Sequence, residues 1–256
     1  MITMHENPVR YALGIGDDML TVNSLINKQI DIYFTHKHVC YCEKVVDKVF
    51  RNNFCYECYF TNPAAGDAIF RPELSTAHLG IGDRDLEFEQ RYQLQPHVVY
   101  LANSGGLKVG VTRLNQKTTR WMDQGANSTI VLAETTNRFE AGQIEVALKS
   151  FVADKTHWQR MLKNHIEAID LLAEKRRLIK ELPEELQKFA STEDEVYNFS
   201  YPVEAYPQKI SSVNLSKGDS FSGKLMGIKG QYLIFAQGAV FNVRSHEGYI
   251  VDLEVR

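Results

Sequence analysis

No apolar run in the sequence approaches the ~18 residues that a membrane-crossing helix needs. The opening residues, MITMHENPVRYALG, lack the basic flank and apolar core of a secretory leader. Together these absences predict a cytoplasmic protein with no membrane partner. An excess of charge of one sign is missing too: 29 Lys and Arg face 32 Asp and Glu, for a net charge of −3. Bulk electrostatics therefore gives no reason to bind a polyanion, and any such surface must be local. There is no internal repeat and no low-complexity tract. What remains, 44% hydrophobic and 24% charged over 256 residues, is the composition of a globular chain with room for one or two domains and a small module.

Cysteine is scarce as well, and all four fall in one stretch, CYCEKVVDKVFRNNFCYEC, at Cys40, Cys42, Cys55 and Cys58. In a reducing compartment such clustering points to metal before disulfides. Two thiolate pairs at the ends of a short excursion suit a tetrahedral Zn²⁺, with His36 and His38 near enough to replace one thiolate. Four protein ligands leave no open position, so this zinc is expected to be structural. The competing reading is four reduced, unligated thiols.

Strand-like alternation is expected in VRYALGIG and KQIDIYF, separated by a polar, turn-prone segment. After the cysteines, residues 60–95 read as a connecting region with one short helix through RDLEFEQRY. HVVYLA and LKVGVTR, joined by NSGG, form a hairpin signal. KTTRWMDQGA suits a helical turn ending at Gly125, and STIVLAET a third strand. The period then changes to helical: Ile144, Ala147, Leu148 and Phe151, then Trp158, Met161, Leu162, Ile169 and Leu172, predict helices over 139–152 and 156–180. They break near Asp154, which with Thr156 is a candidate N-cap, and Pro183 stops the second. STEDEVYNFSYPVEAYPQ reads as an acidic connector. From residue 209 short β-rich runs separated by glycines predict a small β module.

Two windows carry no acid. Between Glu89 and Asp123 lie Arg91, Lys108, Arg113, Lys117 and Arg120. From Ser220 to His246 lie Lys224, Lys229 and Arg244, interleaved with Phe221, Tyr232, Phe235 and Phe241. Cations for phosphate among aromatics for bases are what a nucleic-acid surface requires. In the second window the better reading is a barrel core with a solvated cationic face. Glu145 lies just off the Ile144/Leu148/Phe151 stripe. It points either along the core edge towards a cleft or, as the better reading, to an i,i+4 pair with Lys149. Trp121 and Trp158 read as core, and His157 and His165 as helix surface.

The stretch from His97 resembles the GIY-YIG nuclease superfamily over about residues 97–152. VVY, ending in Tyr100, is similar to its first motif and KVG, Lys108 to Gly110, to its second. Arg120 is similar to the helix arginine, and Glu145, in AGQIEVAL, to the metal-binding glutamate. Where the superfamily has its second tyrosine this chain has Lys108, and Arg120 sits slightly late, so Arg113 is a rival for its role. From about residue 10 onward the chain also looks like an uncharacterised bacterial family, a domain of unknown function with a cysteine knuckle, KVG-x-TR, RW-x-DQGA and GIKGQYL.

The resemblance implies an α+β protein: a GIY-YIG-like central sheet with flanking helices at 96–190, a zinc knuckle within 1–95, and the β module at 191–256, which is free to pair with the N-terminal strands. It also implies phosphodiester cleavage of DNA or RNA. Glu145 would hold a Mg²⁺ or Mn²⁺ that keeps most of its waters, and Tyr100 would deprotonate or position the attacking water. Arg120 would neutralise phosphate charge, and Lys108 would contact phosphate or lower the tyrosine pKa. The competing functions are a non-catalytic nucleic-acid-binding protein and a protein-interaction scaffold. Oligomeric state is not legible.

Overall fold

In a computed structural model the protein is described over residues 1–152 and 157–256. The strands are β1 (Ile2–Met4), β2 (Arg10–Ile15), β3 (Asp18–Thr21), β4 (Gln29–Val39), β5 (Val45–Val46), β6 (His97–Asn103), β7 (Leu107–Arg113), β8 (Ser128–Thr135), β9 (Val196–Asn198), β10 (Ser211–Val213), β11 (Ser220–Lys229), β12 (Tyr232–Phe235), β13 (Ala239–Asn242) and β14 (Tyr249–Val255). The α-helices are α1 (Tyr56–Thr61), α2 (Asp67–Phe70), α3 (Leu86–Gln93), α4 (Lys117–Asp123), α5 (Arg138–Leu148), α6 (Trp158–Leu162), α7 (Leu171–Glu181) and α8 (Glu184–Gln187). This mixed α+β chain divides into two compact units, residues 1–60 with 200–256, and residues 61–199.

The first unit joins the two ends of the chain. Its large sheet runs β10-β13-β12-β11-β4-β14, with β5 on the far end of β4. β11 and β14 both pair antiparallel with β4, so the C-terminal strands do complete a sheet begun near the N-terminus. Within this unit Ile30, Ile32, Leu225, Ile228, Ile234 and Val240 are all buried. Phe235 and Phe241 of the second acid-free window are buried as well, which bears out the core reading for these two, whereas Phe221 and Tyr232 are only half-buried. Lys229 departs from it: the residue is fully buried, not solvated, with its ammonium 5.2 Å from the Tyr201 ring. The segment expected to be only a turn between β2 and β4 also holds β3, which joins β1 and β2 in a small separate sheet.

The second unit is built on an antiparallel sheet of order β7-β6-β8-β9. All seven residues of β6 are buried, as a central strand covered on both faces must be. Val99, Leu101, Val109, Ile130 and Leu132 pack with Ala141, Ile144 and Leu148 of α5 and Leu171 and Leu178 of α7. On α5, Gly142 permits close approach: a Cβ there would stand 2.4 Å from the Glu73 backbone nitrogen.

Three expectations need correction here. The long helix over 156–180 is two helices, α6 and α7, because Asn164 takes a left-handed φ of 55° and Asp170 caps a new helix through the Ala173 N–H at 2.9 Å. Phe151 is 44% exposed and not part of the α5 core stripe. The acidic connector contributes β9, which pairs with β8 at Thr129↔Tyr197. The expected N-cap at Asp154 or Thr156 lies outside the described residues.

Candidate functional site

Two clusters stand out, one in each unit. In the first unit the cysteines sit on two tight turns. Cys40 follows β4, and the turn to β5 closes with the Glu43 N–H donating to the Cys40 carbonyl at 2.8 Å, Glu43 having a φ of 66°. The second turn puts Asn52 and Asn53 at positive φ before Cys55, with the Phe54 N–H donating to the Arg51 carbonyl at 2.8 Å. Asn tolerates that conformation better than most residues. The Cys55 N–H then donates to the Cys40 sulfur at 3.1 Å, which ties the two turns together.

All four sulfurs lie within 4.8 Å of one another. Burial pushes the Cys40 thiol up, but the backbone N–H groups of Cys42 and Cys55 outweigh it and bring the pKa to about 7. Hydrogen bonds with Cys42 and Cys55 push the Cys58 thiol up to about 12. Four thiolates this close require a cation between them, so the group could hold a metal such as zinc. Neither histidine belongs to it: His36 is exposed beside Asp219, and His38 packs against Tyr249 with ring centroids 4.5 Å apart.

In the second unit the hairpin register pairs Tyr100 with Gly110. The tyrosine ring crosses the glycine so closely that a Cβ on Gly110 would lie 2.7 Å from the hydroxyl oxygen. The buried hydroxyl donates to the Gln124 Oε1 at 2.9 Å, and the Lys108 ammonium donates to the same oxygen at 2.6 Å. Gln124 caps α4, whose Trp121 packs edge-on to Tyr100 at 5.8 Å. Lys108 is only 5% exposed, so the expectation of an open phosphate contact there gives way to a buried one with Gln124.

The expectation that the Lys108 charge lowers the tyrosine pKa gives way to a balance in which burial dominates. Burial pushes the Tyr100 phenol up to about 12 against the pull of the Arg120 charge. At neutral pH it is a hydrogen-bond donor and not a base. Both Arg120 and the half-buried Glu145 act electrically on Tyr100, so residues far apart in sequence bring their charges to bear on one phenol. Arg113, half-buried, turns instead to Gln116, its Nε donating at 3.1 Å, and to the Tyr92 ring, 4.6 Å from the guanidinium carbon.

Reading the sequence missed three residues near this group. Arg138 is 8% exposed and donates through Nε and Nη2 to the carbonyls of Ala68 and Ile69. Burial lowers its pKa, and the charges of Arg113 and Arg120 lower it further while Tyr92 and Glu145 oppose them. His97 is buried and held neutral, burial taking its pKa down to about 4. Gln124 falls inside the RW-x-DQGA motif, but an uncharged amide there gave no reason to name it as a site residue. The arrangement combines a neutral phenol, a buried amine, three arginines and one carboxylate, an excess of cations that suits an anion.

No described helix is long and apolar enough to cross a membrane. A family model described as a protein of unknown function, DUF2797, matches residues 27–251. No curated protein and no solved structure matches the chain.

Proposed function

The chain belongs to the DUF2797 family, and from that premise we propose that it acts on nucleic acid as a metal-dependent, GIY-YIG-like endonuclease carrying a structural zinc knuckle. The observation that carries this reading is that the Tyr100 ring crosses Gly110 within the hairpin while the charges of both Arg120 and Glu145 act on its phenol. The sheet order supports it, with the first hairpin strand central and the strand after the arginine helix on its other side.

In this mechanism Arg120 neutralises charge gathering on the scissile phosphate. Tyr100 and Lys108, both tied to Gln124, fix the donor geometry beside it. Glu145, a half-buried carboxylate, would hold a Mg²⁺ or Mn²⁺ that keeps most of its waters. That ion, when bound, supplies Lewis-acid stabilisation of the phosphate oxygens. Tyr100 does not serve as the base, because its phenol keeps its proton at neutral pH. In the knuckle, Cys40, Cys42, Cys55 and Cys58 fit one Zn²⁺, and four thiolates leave no position for substrate.

The test is cleavage of labelled single- and double-stranded DNA and RNA with Mg²⁺ or Mn²⁺, comparing wild type with Glu145→Gln. Cleavage by the wild type that the variant loses supports the nuclease. A second reading, a non-catalytic DNA- or RNA-binding protein, is favoured by the complete burial of Tyr100. Salt-dependent binding with no cleavage of any substrate would select it.

A further inference from the structure

Arg113 and Arg138 gather around one aromatic ring. Their guanidinium carbons lie 4.6 and 5.9 Å from the Tyr92 ring centroid, so both cations share the π-face environment of a single side chain. Arg138 is anchored by backbone carbonyls at 2.8 and 2.6 Å. A carbonyl orients a guanidinium without cancelling its charge. Among the described residues neither arginine is in an ion pair. The nearby α5 N-terminus is already satisfied. Asn137 accepts from the Glu140 N–H at 3.0 Å and the Glu140 carboxylate accepts from the Thr136 N–H at 2.9 Å and its hydroxyl at 2.8 Å, so Glu140 is engaged at this cap.

His97 supplies the specificity. It pairs in register with Arg113 across the hairpin, which brings the two side chains close together. Its Nδ1 lies 2.7 Å from the Gln95 carbonyl, an atom that only accepts, so Nδ1 carries the proton. Nε2 is therefore a lone pair, and it is buried with no hydrogen-bond partner among the described residues. A buried polar atom without a partner is costly, and the one carboxylate whose charge acts on Arg138, that of Glu145, is outnumbered by the arginines around it. One ligand meets both needs: negative oxygens for the guanidinium groups and an O–H for Nε2.

We infer that Arg113, Arg138 and His97, arranged around Tyr92, form a subsite for a phosphomonoester group. Its anionic oxygens face the two guanidinium groups and, in the singly protonated form populated near its second pKa of about 6, its P–OH donates to His97 Nε2. A phosphodiester has the oxygens but no O–H, so an internal linkage does not satisfy this subsite. Assigning the phosphomonoester to the end of a nucleic-acid strand rests on the proposed function above; the subsite itself does not.

The test uses the full chain with its metal. Thermal unfolding is followed in increasing inorganic phosphate and, separately, sulfate, for wild type, Arg113→Gln and Arg138→Lys. Arg113 is half-buried and bonded to a surface glutamine, so its variant is expected to fold even if the Arg138 variant does not. Saturable stabilisation by phosphate, weaker by roughly tenfold in apparent affinity for Arg113→Gln, is the expected result. An equal response to sulfate, which carries no proton at neutral pH, or an Arg113→Gln response equal to wild type, overturns the subsite.

A second arm compares oligonucleotides ending in a phosphate or a hydroxyl, by anisotropy. Tighter binding of the phosphorylated strand, with the difference erased in Arg113→Gln, assigns the group to a strand end. Phosphate stabilisation with no such discrimination keeps the subsite and overturns the strand-end source. Phosphate binding that persists in a protein with no nuclease activity leaves the subsite standing while the nuclease reading fails.

Discussion

The Tyr100 hydroxyl donates to the Gln124 amide oxygen at 2.9 Å, and this oxygen also accepts from the Lys108 ammonium at 2.6 Å. Two buried donors from neighbouring strands thus converge on one neutral acceptor at the end of α4. Replacing the acceptor with an apolar side chain of similar length, Gln124→Met, should destabilise the protein by about 1–3 kcal/mol in urea unfolding, because a buried donor without its acceptor retains the cost of desolvation. The same change in a Tyr100→Phe background should cost less, since one donor is already gone. Equal costs in the two backgrounds would show that the hydroxyl draws nothing from Gln124.

Gly110 is required by the same ring. A Cβ at this position would stand 2.7 Å from the tyrosine oxygen and 2.8 Å from Cζ, and neither atom is the loose end of a flexible chain. Gly110→Ala should therefore destabilise by roughly 1–3 kcal/mol as an overpacked core position. On the proposed function it should also abolish cleavage by displacing Tyr100. A variant that unfolds at the wild-type denaturant midpoint would mean the ring moves aside without cost.

The parts of this fold that were legible in the sequence have a strong local cause. The β6–β7 hairpin announces itself by β-branched alternation around NSGG, and β8 by an apolar run after Gly125, whose φ is 67°. The break between α6 and α7 was hidden because Ile166 and Ile169 keep apolar residues near helical spacing through a segment that is not helical. β9 was hidden because a three-residue edge strand needs no pattern of its own, only the exposed edge of β8. In the candidate site the charged motif residues could be named, but not their burial. Arg138 opens a helix and reads as solvated charge, yet it is held by the Ala68 and Ile69 carbonyls some seventy positions earlier. No periodicity encodes that contact.

Two buried groups give the stability profile opposite limbs. Tyr100 has its pKa raised from 10.0 to about 12 by burial, so between those values the unfolded chain loses a proton that the folded chain keeps. Stability from this group is complete below pH 10 and falls as pH rises towards 12. His97 has its pKa lowered from 6.5 to about 4, burial acting first and the arginine charges after it. Below pH 6.5 the unfolded chain takes up a proton that the folded chain refuses, so stability falls as pH drops towards 4. Tyr100→Phe should flatten the alkaline limb alone and His97→Phe the acid limb alone, each measured as the variant's difference from wild type across pH. Parallel profiles for wild type and variant would locate the titrating groups elsewhere.

The cysteine cluster predicts a metal content as well as a structure. Sulfur atoms within 4.8 Å of one another need to draw in by only about 1 Å to span the edges of a tetrahedron with zinc–sulfur bonds of about 2.3 Å, and four thiolate ligands leave the ion no water. Protein purified without chelator should carry about one Zn²⁺ per chain by elemental analysis, and Cys58→Ser should reduce this well below one. The consequence should be local. Cys40 directly follows β4 and its N–H closes the turn to β5 on the Lys44 carbonyl, so metal removal should first speed amide exchange around residues 40–58. Cobalt in place of zinc should show the intense visible bands of a tetrahedral thiolate site, and loss of one sulfur should shift them. Metal-free protein with wild-type exchange across these two turns would mean that the hydrogen bonds from Cys55 to Cys40 and from Glu43 to the Cys40 carbonyl hold the knuckle without an ion.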